Sequence, residues 1–320
     1  MSVPVSICLT TYNRGHVLPA TIDSLLAQSF GDFELIVSDD CSTDDTAELC
    51  RAYQARDPRV RYFRNESNLK MPGNLNAAIG RASGAYVANV HDGDVYRKDL
   101  IQKWKAALDE NPRAAFVFNQ YESLDRQGNA RIDRAPLETR RDPHEIARHF
   151  FRTFTSCVWG TVMARREAYA KVGPFDASYG FISDVDIWLK LARDHEVAYI
   201  AEPLITLTPR EPDHPYAFVH WRIWFFTLSM YVAHLDYYRD AMPGEVADFR
   251  AGYPRRRREL LLRDLLICVK HRRWDRLREG LSIFRDAGDP WLRALGRTFG
   301  RRADAPTWYS AAQWERTDLA

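Results

Sequence analysis

The sequence predicts an α/β protein: a doubly wound, mostly parallel sheet followed by a helical extension at the C-terminal end. Three observations predict it. Strand-like and helix-like segments alternate five times within about the first 120 residues, the order expected of parallel strands joined by crossover helices. Three of those strands end in polar groups, TTYNR, SDD and HDGD, and open parallel sheets bind ligands outside the carboxyl ends of their strands. Beyond Tyr216 the apolar spacing is helical throughout.

The elements follow in order. Val5–Thr10 is a short apolar run that ends in polar residues, a buried strand delivering a loop. Leu18, Ile22, Leu25 and Leu26 give helical spacing over 18–29. Phe33–Val37 is a second strand, stopping at Ser38, Asp39 and Asp40. Ser42-Thr43-Asp44-Asp45 resembles a helix N-terminus rich in acids, and the helix runs to about Arg56. Val60–Arg64 is a strand, Gly73–Ala82 a helix, and Ala85–Val90 a strand ending at His91-Asp92-Gly93-Asp94. Leu100–Glu110 is helical and Ala115–Asn119 is a fifth strand. The charged stretch 125–141 reads as a loop or a strand pair over the site. Ser156–Ala164 is strand-like, Arg165–Lys171 helical, Asp184–Arg193 helical and Val197–Ala201 a strand. In the extension, Trp221–Tyr238 reads as a buried or interfacial helix, and Leu260–Lys270 and Trp274–Phe284 as amphipathic helices.

Composition narrows the function. The 320 residues are 46% hydrophobic, 28% charged and 12% aromatic, too apolar for a disordered chain. Gly and Pro number 16 each, which excludes collagen-like and linker-dominated chains. Five cysteines at wide spacing, without C-x-x-C, read as small buried hydrophobes in a reducing cytosol rather than disulfides or a zinc knuckle. The start MSVPVSICLTTYNR has no charged n-region or apolar h-region, so no secretory signal is expected. The net charge of +2 hides an asymmetry. Residues 251–302 hold fifteen Arg/Lys against six Asp/Glu, a local +9. The expected organisation is an α/β domain over 1–215, with halves of about 1–120 and 121–215, and a basic helical extension over 216–320.

The strand ends suggest the chemistry. Asp92-Gly93-Asp94 puts two carboxylates around a glycine that lets the backbone turn. Hard divalent ions such as Mg²⁺ and Mn²⁺ take one or two carboxylates plus substrate phosphates, though Asp and Gly also make ordinary turns. Asp39-Asp40 reads either as a helix N-terminal cluster or as carboxylates accepting from a nucleobase or ribose. Tyr12 either stacks on a base or packs its loop. No G-x-x-x-x-G-K-[ST] and no G-x-G-x-x-G follows the first strand, which removes Walker-type NTPases and ordinary dinucleotide enzymes.

Four segments, VSICLTTYNR, FELIVSDDCSTDDT, ASGAYVANVHDGD and FISDVDIWLKL, resemble the family-two inverting glycosyltransferases with the GT-A fold, a Rossmann-like sheet. The resemblance covers about 3–210, with the segments in the family's order. It implies that Thr11, Tyr12, Asn13 and Arg14 line the nucleotide pocket of a nucleotide-sugar donor, with Asp40 accepting from the base and Asp39 supporting that loop. It implies that Asp92 and Asp94 hold a divalent metal (Mn or Mg) and the diphosphate, with His214 as a candidate third ligand. Asp184 becomes the general base, with Asp186 as fallback because Ser183 stands where the family has an acid. Trp159 and Gly160 fall where the family shapes the acceptor or sugar pocket, and Trp188 sits behind Asp184 on the same helix. The H-D-G-D register leaves open how Asp92 and Asp94 divide their role. An Arg expected near Asn74-Leu75-Asn76 is missing, so Lys70 or Arg64 is the candidate phosphate contact.

The resemblance implies a saccharide or lipid-linked saccharide acceptor in cell-surface polysaccharide or glycolipid assembly. It places the protein in the cytoplasm, peripheral on the inner face of the membrane. The basic helices read either as solvated caps or as a dock on anionic lipid. No nucleic-acid motif is present. A sugar-nucleotide nucleotidyltransferase and a non-catalytic binding module are the alternatives. The first lacks its Gly-rich basic loop in TTYNRGH, and the retained Asp40, Asp92, Asp94 and Asp184 argue against the second.

Overall fold

The computed structural model describes residues 3–135, 142, 144–209, 221–306, 314 and 316–317. The chain divides into two compact units. Met1–His149 with Thr155–Arg210 form the first, and Phe150–Phe154 with Glu211–Ala320 the second.

The first unit is a mixed α/β sheet. Its strands are β1 (Val5–Thr11), β2 (Phe33–Asp39), β3 (Val60–Arg64), β4 (Tyr86–His91), β5 (Val95–Tyr96), β6 (Ala114–Leu124), β7 (Ala130–Asp133), β8 (Val162–Arg165) and β9 (Glu196–Leu207). The order is β3-β2-β1-β4-β8-β6-β9-β5, with β7 paired to β6. β3, β2, β1 and β4 run parallel, and β8 pairs antiparallel with both β4 and β6. All seven residues of β2 are buried, as are six of seven in β1. Strands covered on both faces show such continuous burial rather than alternation.

The helices of this unit are α1 (Leu18–Leu26), α2 (Thr46–Arg56), α3 (Lys70–Gly80), α4 (Leu100–Asp109), α5 (Glu145–Thr153), α6 (Arg166–Val172) and α7 (Ser183–Asp194). The last residues of α5 count with the second unit. α1 buries Leu18, Ile22 and Leu25 on one face, against a core that includes Ile7, Leu9, Val37 and Trp104. α1 ends earlier than its spacing predicts because Gln28 leaves the helix to brace it. Its Nε2 donates to Ser24 O at 3.1 Å and Arg97 O at 2.8 Å, and its Oε1 accepts from Ile101 N at 3.0 Å.

Other boundaries also move. The charged stretch after 124 turns through Asp125 and Asn129 into the short β7, a hairpin with the end of β6. The strand expected over 156–164 is confined to β8. Ser156 Oγ accepts from Val158 N at 3.0 Å and donates to Val158 O at 2.8 Å, a local turn that competes with the ladder.

The second unit is helical: α8 (Trp221–Tyr237), α9 (Pro243–Lys270), α10 (Trp274–Ile283) and α11 (Pro290–Phe299). α9 extends well before the predicted Leu260, across Pro254, because the run Arg255–Arg258 hides its periodicity. Tyr231 of α8 stacks on Phe154 at 4.7 Å and on Tyr253 at 4.8 Å. α8 and α10 pack closely at Gly280, where a β-carbon would lie 2.3 Å from the Trp221 ring. Among the described residues no helix is long and apolar enough to cross a membrane.

Candidate active site

Strand register assembles the site. Thr11 of β1 is opposite Asp39 of β2, which is opposite Arg64 of β3, and Thr10 is opposite His91 of β4. The loops after these four strands therefore leave the sheet along one edge.

The first two loops are laced together. Asn13, at φ 52°, donates its N–H to Ser42 Oγ at 2.8 Å, and its Oδ1 accepts from Thr43 N at 2.7 Å. Gly15 N donates to Asp44 Oδ2 at 3.0 Å. Burial alone would raise the Asp44 carboxyl, but hydrogen bonds from Thr46 and Gly15 outweigh it and hold the group below its usual range. Tyr12 is exposed on this edge.

Both acids of the SDD group are buried and hold loops in place. Asp39 accepts from Ser42 N at 2.8 Å and Tyr62 OH at 2.7 Å, with Arg64 at 3.8 Å. Asp40 Oδ1 accepts from Asn65 Nδ2 at 3.0 Å and Leu69 N at 2.8 Å, and its Oδ2 accepts from Lys70 N at 2.8 Å. A carboxylate offers about four acceptor positions, so Oδ2 of Asp40 keeps capacity for a ligand donor. Beneath them, Asn74 Oδ1 accepts from Ser38 Oγ at 2.7 Å and Asn65 Nδ2 at 2.9 Å. Lys70 lies exposed at the turn that Asp40 holds.

The HDGD group is a tight turn between β4 and β5. Gly93 sits at φ 84°, which L side chains rarely adopt. A β-carbon there would also lie 2.6 Å from an Arg14 guanidinium nitrogen. Thr21 of α1 accepts from Gly93 N at 3.0 Å and donates to Asp94 O at 2.9 Å. Thr208 donates to Gly93 O at 2.6 Å. Tyr96 OH accepts from His91 N at 2.8 Å and donates to His91 O at 2.9 Å. Asp94 is buried and Asp92 partly accessible, its Oδ1 3.6 Å from Arg14 Nε. Among the described residues no three His, Cys, Asp or Glu side chains are grouped to hold a metal. Its two carboxylates suit a hard ion whose remaining ligands come from a diphosphate, and His91 beside them adds an imidazole. His214 lies outside the described residues.

Gly160 joins this turn to α7. A β-carbon at Gly160 would lie 2.6 Å from His91 Nε2 and 3.2 Å from Asp184 Oδ2, so the imidazole and the carboxylate crowd one α-carbon. Burial pushes the Asp184 carboxyl up to about 7, against the hydrogen bond that Val185 N donates to it at 2.9 Å. Asp186, in contrast, is buried and paired with Lys190 at 2.6 Å. Trp159 is 53% exposed and meets Tyr121 edge-on at 5.1 Å. Trp188 has no exposed surface and packs against Phe116 at 5.2 Å and Phe175 at 6.0 Å. It therefore supports α7 from below.

Sequence reasoning missed Thr21, Thr208, Asn65 and Asn74. Thr21 carried a signal: it is a polar residue beside Ile22 on the apolar face of α1. Thr208 and Asn65 sit just beyond strand ends, and Asn74 lies on α3 with no local cue to its partners.

Comparison with known proteins adds three findings. A family model described as "Glycosyl transferase family 2" matches residues 6–173, more than half of the chain. The GalNAc(5)-diNAcBac-PP-undecaprenol beta-1,3-glucosyltransferase of Campylobacter jejuni is 40% identical over 91 residues, 28% of this chain and 29% of that protein. The chain thus spans under a third of that curated relative. Among solved structures, S. aureus TarS 1–349 in complex with UDP-GlcNAc aligns with a TM-score of 0.62 at 17% identity, over 98% of this chain and 89% of that one. Mannosyltransferase PcManGT from Pyrobaculum calidifontis, in complex with GDP-Man and Mn²⁺, aligns at 0.51 and 16% identity, over 86% and 83%. These likenesses show the GT-A fold.

Proposed function

The chain belongs to glycosyl transferase family 2, and on that premise we propose that it moves a sugar from a nucleotide-sugar donor to an acceptor hydroxyl with inversion, Asp184 acting as the general base. One observation carries the reading. Asp184 is an acid whose carboxyl burial lifts to about 7, placed with His91 of the HDGD turn around the α-carbon of Gly160. A general base works best with a pKa near the operating pH.

The chain's own residues would act as follows. The laced loops after β1 and β2 seat the nucleotide, with Tyr12 exposed to stack on the base and Asp40 Oδ2 accepting from it. Arg14 faces the diphosphate beside Asp92. Asp92 and Asp94 would hold Mn²⁺ or Mg²⁺ with the donor's phosphate oxygens. When bound, the ion supplies charge neutralisation on the leaving diphosphate. Asp184 takes the proton of the acceptor hydroxyl as that oxygen attacks the anomeric carbon from the face opposite the diphosphate. A single displacement of this kind inverts the configuration, and no second, nucleophilic carboxylate is required.

The Mn²⁺ and GDP-Man of PcManGT and the UDP-GlcNAc of TarS support the donor and the metal. Trp159 offers an exposed aromatic face for a saccharide acceptor. The undecaprenol-linked name of the Campylobacter relative supports a lipid-linked saccharide and cell-surface polysaccharide assembly. The test is a panel of UDP-, GDP-, dTDP- and CMP-sugars with Mn²⁺ or Mg²⁺, reading nucleotide release and product anomer. Transfer should need a divalent ion and should be abolished by Asp92→Ala. Metal-independent transfer, or an Asp92→Ala variant with full activity, would overturn the reading.

A further inference from the structure

The second unit has an exposed corner whose composition is unusual for a water-facing surface. α9 buries Leu260, Leu261, Asp264 and Leu265, a stripe at helical spacing. Its last turn departs from that stripe: Leu266, Ile267 and Val269 are exposed, Leu266 at 69%. The chain then turns, with Arg272 at φ 54°, and α10 opens on Trp274, also exposed. Between the two lie Lys270, His271, Arg272 and Arg273. Lys270 and Arg272 are exposed and form no ion pair among the described residues. No Asp or Glu occurs from 265 to 274. Asp275 follows, 3.9 Å from Arg276 Nε.

We propose that this corner, Leu266–Trp274, docks the protein on an anionic lipid membrane. Aliphatic side chains gain by entering the acyl boundary, an indole settles at the interface, and neighbouring cations remain level with the lipid phosphates. The corner holds all three within nine consecutive residues, inside a segment of local charge +9. A nucleic-acid surface would use the cations alone and has no use for Leu266, Ile267 and Val269. The inference is independent of the glycosyl-transfer reading, because vesicle binding requires neither donor nor metal.

Flotation of the full chain with vesicles tests it. The protein should float with phosphatidylcholine vesicles containing about a third phosphatidylglycerol and not with pure phosphatidylcholine, and added salt should weaken the binding. Lys270→Gln and Arg272→Gln should each weaken partitioning about fivefold. Leu266→Ser and Trp274→Ser should weaken it while the thermal melt stays unchanged, since both side chains are exposed. No binding to anionic vesicles would overturn the proposal, as would binding indifferent to all four substitutions. Duplex DNA binding that falls in Lys270→Gln and Arg272→Gln but not in Leu266→Ser, without vesicle binding, would also overturn it.

Discussion

Thr21 and Gly93 are joined by a buried hydrogen bond: the Gly93 N–H donates to Thr21 Oγ1 at 3.0 Å, and the same hydroxyl donates onward to Asp94 O at 2.9 Å. One side chain on α1 thus satisfies two backbone groups of the turn that carries Asp92 and Asp94.

Thr21→Val keeps the shape and removes the hydroxyl. It leaves a buried N–H and a carbonyl unsatisfied, at a cost of about 1–3 kcal/mol. The expected outcome is a lower melting temperature together with a raised KM for donor and Mn²⁺. Thr21→Ser, which restores the hydroxyl, should recover both. A Thr21→Val variant with native KM values would show that the hydroxyl does not position the turn.

Gly160→Ala adds a β-carbon 2.6 Å from His91 Nε2 and 3.2 Å from Asp184 Oδ2. One of the two side chains must move. A displacement near 1 Å at a reacting group costs up to about a hundredfold in rate. Steady-state kinetics should therefore show a kcat loss of tenfold or more, with donor KM nearly unchanged. An unaltered kcat would mean that neither side chain's position matters to turnover.

Glu34 sits at the opposite ends of the strands from the site, and its carboxyl links folding to acid pH. Burial would raise its carboxyl, but hydrogen bonds from Ser6 and Ser83 and the Arg61 guanidinium bring it down to about 2 from an ordinary 4.5. A folded pKa below the unfolded one gives stability that is complete above pH 4.5 and is lost as pH falls toward 2. Urea unfolding across this window should show stability falling with acid, and Glu34→Gln should flatten that slope. Equal slopes in the two proteins would refute the assignment.

Asp184 has the opposite sign. Its folded carboxyl, raised to about 7 from an ordinary 3.8, favours the protonated state, so its contribution is lost as pH rises through that window. Asp184→Asn should therefore match the native protein in stability near pH 4 and exceed it above pH 7. Thermal melts at the two ends of the window measure the difference. A variant that is less stable at alkaline pH would contradict it.

Much of this arrangement was legible in the sequence. Strands β1, β2 and β4 of the site edge are mostly buried segments that end in polar groups, because a sheet covered on both faces demands the first and an open edge the second. β5 escaped detection because two residues carry no period. Helix α9 was read only from Leu260 because Pro254 and four arginines break its apolar stripe. In the candidate site, residue type alone singles out Asp92 and Asp184 as carboxylates at the end of a strand and the start of a helix. Tertiary register decided the rest. Nothing local tells that Asp40 holds the 69–70 turn, that Thr208 meets Gly93, or that Gly160 lies against both His91 and Asp184.

The most direct test is the pH dependence of kcat/KM for native protein and Asp184→Asn with saturating Mn²⁺ and the donor selected by the sugar-nucleotide panel. The general-base role predicts a native profile that rises with pH, is half-maximal near 7 and levels off above it, and a variant that still binds donor yet loses about a thousandfold of its rate, within the range for acid–base catalysis. A variant with native turnover, or a native profile flat through pH 7, would contradict it.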